Sequence, residues 1–75
     1  MESSHIIKGL YAITPDETDT EKLLHQIELI HSGGCRLLQY RNKKLALSAL
    51  IDQAEQVKEL CNRLNMTLII NDNVD

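Results

Sequence analysis

The sequence predicts an α/β fold, a βαβαβ unit with a parallel sheet. Three observations carry this expectation. Three short apolar runs rich in β-branched and aliphatic residues read as strands. Two longer stretches between them repeat their apolar residues at helical spacing. The strands are separated by far more than a hairpin turn, so each connection must be a crossover and each pair of neighbours parallel. Parallel sheets of this kind are expected to have both faces covered.

The first strand spans Gly9 to Thr14 (GLYAIT) and is stopped by Pro15. Residues 1–8 before it read as an N-terminal tail, and residues 9–75 as one domain unit. A polar stretch follows in which Thr18 and Glu21 fit a capping box, with hydroxyl and carboxylate each satisfying a free N–H. Leu23, Leu24, Ile27 and Ile30 then form the apolar stripe of a helix that Gly33 and Gly34 end. Cys35 to Arg41 (CRLLQYR) reads as the second strand. In the second helix Leu47, Leu50, Ile51, Ala54, Val57, Cys61 and Leu64 share one face, and Asn65 closes it. Met66 to Ile70 (MTLII) is the third strand, running into Asn71 and Asp72. An apolar edge strand at the end of the sequence is what native folds avoid, so the chain reads as a piece of a larger unit. It would be completed by self-association or by pairing with the missing part.

Composition narrows the function. A chain of 75 residues builds only a marginal core, and this one has no Phe or Trp and only two tyrosines, so the core must be aliphatic. A net charge of −3 argues against a nucleic-acid-coating protein. Cys35 and Cys61 form no metal-binding spacing and read as buried thiols in a reducing compartment. No signal peptide and no apolar stretch of membrane-spanning length are visible, so a cytoplasmic protein with no membrane partner is expected.

The chemistry concentrates at strand ends. Alternation places Leu37, Gln39 and Arg41 on one face of the second strand and Leu38 and Tyr40 on the other, with Lys43 extending the first set. A Gln, an Arg and a Lys would thus converge at the C-terminal end of a parallel strand, where ligands bind in such folds. The forked guanidinium and mobile ammonium suit a diphosphate. Alternatively, Arg41 and Lys43 simply point into solvent. Arg36, Arg41, Lys43 and Lys44 gather half of the eight basic residues in one segment, either an anion site or a solvated loop. At the third strand's end, Asn71 and Asp72 could orient a phosphate and hold Mg²⁺, or could form an Asx turn or helix cap.

Three ordered segments, LYAITPD at 10–16, GGCRLLQYRNK at 33–43 and LIINDNVD at 68–75, resemble the thiamine-phosphate synthase family, whose early strands typically read YxITP, GGxxxxQxRxK and xINDxxD. The resemblance implies a (β/α)8 TIM barrel, of which this chain would hold the first strands. It implies a transferase of thiamine biosynthesis. Such an enzyme joins hydroxymethylpyrimidine diphosphate to thiazole phosphate by departure of diphosphate and capture of the pyrimidine cation. Gln39, Arg41, Lys43 and Asn71 fall where the family binds the pyrimidine diphosphate, and Asp72 where an Asp ligates Mg²⁺. No side-chain nucleophile is implied. Asn73 stands where many relatives carry Arg, and the thiazole-phosphate loops would lie beyond Asp75. The related thiazole tautomerases, and a non-catalytic truncated chain, are the alternative readings.

Overall fold

A computed structural model describes residues 11–70 together with the strand at residues 6–7. The elements are β1 (Ile6–Ile7), β2 (Tyr11–Ile13), α1 (Thr20–Ser32), β3 (Leu37–Tyr40), α2 (Leu47–Leu64) and β4 (Thr67–Ile70). They form one sheet in the order β1-β2-β3-β4. The β2–β3 and β3–β4 pairs are parallel, in register Ile13–Gln39–Ile69 across the sheet. Ile6–Ile7, expected as tail, instead pairs antiparallel with β2.

Both helices pack on the same face. Leu23 and Ile27 of α1 and Val57, Leu60 and Cys61 of α2 share a core with Ala12, Leu38 and Tyr40 of the strands. Each buried leucine contributes about 1.5–3 kcal/mol relative to exposure. The opposite face carries Tyr11, Ile13, Leu37 and Gln39, all only partly covered. The expectation that both faces are covered is therefore corrected for the described residues, in which the helices cover one face only. A strand order that follows chain order sends both crossovers in one direction, which puts both helices on one side.

The buried stripe of α2 also departs from expectation. Leu47 and Ile51 are 70% and 54% exposed, whereas Gln53 and Leu60 are buried. Periodicity alone centres the stripe on aliphatic positions and has no means of placing a polar Gln53 in the core. The α1 cap differs as well. Asp19, rather than Thr18, is the N-cap, and its carboxylate accepts from the Lys22 amide at 3.4 Å. Asp and Thr both serve there, and the choice is settled by where the helix begins.

Both helices end in the same way. Gly34 adopts φ 109°, its N–H bonds to the His31 carbonyl at 2.9 Å, and the Cys35 N–H reaches Ile30 at 3.0 Å. At the second end Asn65 takes the left-handed conformation at φ 61°, bonding to Asn62 at 3.3 Å, and the Met66 N–H reaches Cys61 at 2.9 Å. This paired bonding satisfies otherwise free helix carbonyls and turns the chain directly into the next strand. Cys35 and Met66, the residues that follow, are both buried. The Thr67 N–H then bonds to the Arg36 carbonyl at 2.9 Å, linking the two strand entries.

Candidate anion-binding site

The site is built where β2 and β3 end. Beyond the last paired residues Thr14 locks the two chains together. Its N–H donates to the Gln39 carbonyl at 3.0 Å, and its hydroxyl donates to the Arg41 carbonyl at 2.9 Å. The same hydroxyl accepts from the Arg41 N–H at 3.1 Å. Thr14 is 5% exposed, so these bonds are shielded from competing water and hold the Arg41 backbone in place.

The strand alternation places its side chains as expected. Leu38 and Tyr40 enter the core at 1% and 2% exposure, while Leu37 and Gln39 are half-buried on the other face and Arg41, just past the strand, is half-buried too. Gln39 sits in register with Ile13 and Ile69, in the middle of the uncovered face. The Arg41 Nε is buried and has no hydrogen-bond partner among the described residues. A buried guanidinium N–H without an acceptor is costly, and an anion arriving at the strand end would supply one. Lys43 is exposed in the loop after β3, its backbone N–H held by the Asp16 carboxylate at 3.1 Å.

Arg36 does not belong with this group. It lies before β3, where its guanidinium donates to the carbonyls of His31 at 3.1 Å and Cys35 at 2.9 Å. The basic segment is thus divided between the two ends of one strand, roughly 17 Å apart at about 3.3 Å per residue. Arg36 complements the negative end of α1, and Arg41 and Lys43 follow the C-terminal end of β3.

The loops around Arg41 and Lys43 rest on a buried polar network that the sequence pattern did not reveal. Gln53 is fully buried on α2. Its carbonyl oxygen accepts from the Tyr40 hydroxyl at 2.7 Å and from Asn42 Nδ2 at 3.0 Å. Its amide nitrogen donates to the Glu17 carbonyl at 3.0 Å and to Thr20 Oγ1 at 3.2 Å. Asn42 Nδ2 also donates to the Glu17 carbonyl at 2.7 Å, and its Oδ1 accepts from the Lys44 N–H at 2.9 Å. The available sequence signal was a Gln on the helix side that packs against strands, and periodicity gives such a residue no weight.

One further feature borders this end, reaching Thr14 and Glu17. A cavity of about 360 Å³ opens between α1 and β2, lined by Ala12, Leu23, Gln26, Ile27 and Leu38 among others. Gln39, Arg41 and Lys43 do not line it. Asn71 and Asp72 lie outside the described residues. Among the described residues no three His, Cys, Asp or Glu side chains gather as a metal site, and no helix is long and apolar enough to cross a membrane.

Comparison with known proteins supplies the lineage of this arrangement. No solved structure matches the chain. Thiamine-phosphate synthase of Methylobacillus flagellatus is 50% identical over 68 residues, covering 91% of this chain and 32% of the relative. Thiamine-phosphate synthase of Janthinobacterium is 45% identical over 69 residues, covering 92% of this chain and 33% of the relative. Thiamine-phosphate synthase of Thioalkalivibrio sulfidiphilus is 42% identical over 74 residues, covering 97% and 35%. The chain therefore spans about a third of the length of the curated relatives it matches. The profile of the family described as thiamine monophosphate synthase matches residues 10–75, from the first residue of the LYAITPD segment onward, and the chain belongs to that family.

Proposed function

We propose that this chain carries the pyrimidine-diphosphate half-site of a thiamine-phosphate synthase, within the first strands of a (β/α)8 barrel. The observation that carries the proposal is Arg41, fixed by its backbone at a strand's C-terminal end with a buried Nε that has no partner among the described residues. Relatives named thiamine-phosphate synthase support the assignment. Helices on a single face of a sequentially ordered sheet support the barrel.

In this reading Gln39, Arg41 and Lys43 bind the diphosphate of hydroxymethylpyrimidine diphosphate, with Asn71 contacting the same substrate. Arg41 offers paired donors and Lys43 a mobile charge, and both stabilise the negative charge that grows on the diphosphate as the pyrimidine carbon–oxygen bond breaks. The thiazole nitrogen of the second substrate then captures the pyrimidine cation, so no side-chain nucleophile is required. Asp72 fits Mg²⁺, a hard cation that takes one or two carboxylates together with substrate phosphate oxygens. When bound, the metal supplies Lewis-acid stabilisation of the same leaving group. The thiazole-phosphate site and the remaining metal ligands belong to later strands. A cytoplasmic location, and completion of the fold by those strands or by self-association, complete the proposal.

Calorimetric titration of the chain with hydroxymethylpyrimidine diphosphate, with and without Mg²⁺, tests it. Binding should strengthen with Mg²⁺, and Asp72→Ala should remove that dependence. Arg41→Ala should weaken binding about 10- to 100-fold, as expected for a lost charged hydrogen bond of about 1.5–3 kcal/mol. A folded chain that shows no binding would overturn the assignment.

A further inference from the structure

We propose that Gln53 is a positioning residue for the anion site, setting the loop that carries Arg41 and Lys43 against the loop that follows β2. The inference rests on the half-site reading above. Gln53 is fully buried, yet it is not a core filler. A carboxamide has two donor hydrogens and two acceptor lone pairs, and here all four are used. Burying an amide is tolerated only when it is bonded in this way.

The four partners come from three separate places. Tyr40 and Asn42 belong to the end of β3 and its loop, Glu17 to the loop after β2, and Thr20 to the first turn of α1. Asn42 uses both of its amide hydrogens, on Glu17 and on Gln53, and its oxygen receives the Lys44 amide. The Lys43 amide is held in turn by Asp16, from the loop after β2. Residues 41–44 are therefore tied on both sides, by Thr14 at Arg41 and through Asn42 to Gln53. An aliphatic side chain at position 53 would fill the volume and leave Asn42, Tyr40 and the Glu17 carbonyl short of partners. The loop would then be free to move, and the backbone that presents Arg41 and Lys43 would lose its fixed geometry.

The test compares wild type, Gln53→Met and Gln53→Glu. Affinity for inorganic diphosphate with Mg²⁺ is measured by calorimetry at a temperature where circular dichroism shows each folded. Amide hydrogen exchange is followed at Lys43 and Lys44 and, for reference, in α1. Gln53→Met should bind at least tenfold more weakly, with exchange accelerated at Lys43 and Lys44 and little changed in α1. Should Gln53→Met fail to fold, Gln53→Glu decides. Its protonated carboxyl both donates and accepts, whereas the carboxylate only accepts. Its affinity relative to wild type should therefore fall as pH rises from 5 to 8. A folded variant that binds as tightly as wild type, or a pH-independent ratio near one, would overturn the positioning role and leave the half-site standing. Wild type that is folded and fails to bind diphosphate would overturn the half-site and this role with it. Faster exchange spread evenly over α1 and the loop would assign Gln53 to general stability alone.

Discussion

Cys61 is 1% exposed, and burial pushes its thiol up to about 11 from an ordinary value of 9.0, with Cys35 adding to the rise. Burial raises the Tyr40 phenol as well. In both cases the folded chain holds its proton more tightly than the unfolded chain does. Their contribution to stability is complete below the unfolded value and is lost as pH rises through the folded one. The urea midpoint should therefore decline between about pH 9 and 11. Cys61→Ala should shrink that decline, as followed by circular dichroism across the range. A decline unchanged by Cys61→Ala would show that other groups govern alkaline unfolding. The burial of both thiols was legible in the sequence, because Cys35 opens an expected strand, Cys61 lies on the apolar side of an expected helix, and neither has a metal-like spacing. Gln53 was not legible, because nothing local distinguishes a polar residue saturated by four distant partners from one facing solvent.

Helix ends show how local signals succeed and fail. The two glycines after α1 were readable because few residues accept the conformation needed there, and the structure assigns that role to Gly34 at φ 109°. Gly34→Ala should lower stability by about 1–2 kcal/mol, the usual cost of a left-handed backbone for residues with a Cβ. Asn65→Gly should raise it by on the order of 0.5 kcal/mol, since asparagine tolerates the same region less freely than glycine. Paired urea titrations check both, and a Gly34→Ala chain as stable as wild type would contradict the conformation seen here. The start of α1 was read one residue early, from Thr18 rather than Asp19, because several adjacent polar residues can each cap. The basic segment likewise looked single in sequence. Only the direction of β3 separates Arg36, which serves the end of α1, from Arg41 and Lys43.

For the whole molecule, the parallel βαβαβ order was legible because connection length alone forbids hairpins. The coverage of the sheet was not, since a helical stripe states that a helix packs but not on which side of a sheet. The result is one thin core shared by both helices and by β2, β3 and β4. A chain of this length has roughly 4–11 kcal/mol of stability at the usual 0.05–0.15 kcal/mol per residue. Leu38→Ala, at 1% exposure in the central strand, should cost about 2–5 kcal/mol and abolish the cooperative thermal transition or lower its midpoint sharply. A midpoint within a few degrees of wild type would mean that the core is not shared as described.

The uncovered face has a spectroscopic consequence. The sequence holds two tyrosines and no tryptophan, and the sheet divides the tyrosines between its sides. Tyr11 lies partly covered on the open face, while Tyr40 is enclosed and bonded to Gln53. With no indole to mask them, the two phenol chromophores report separately. Solvent perturbation of tyrosine absorbance follows Tyr11 and whatever comes to cover the open face, and near-ultraviolet dichroism follows Tyr40 and the order of the core. The chain carries an intrinsic optical label on each side of its sheet.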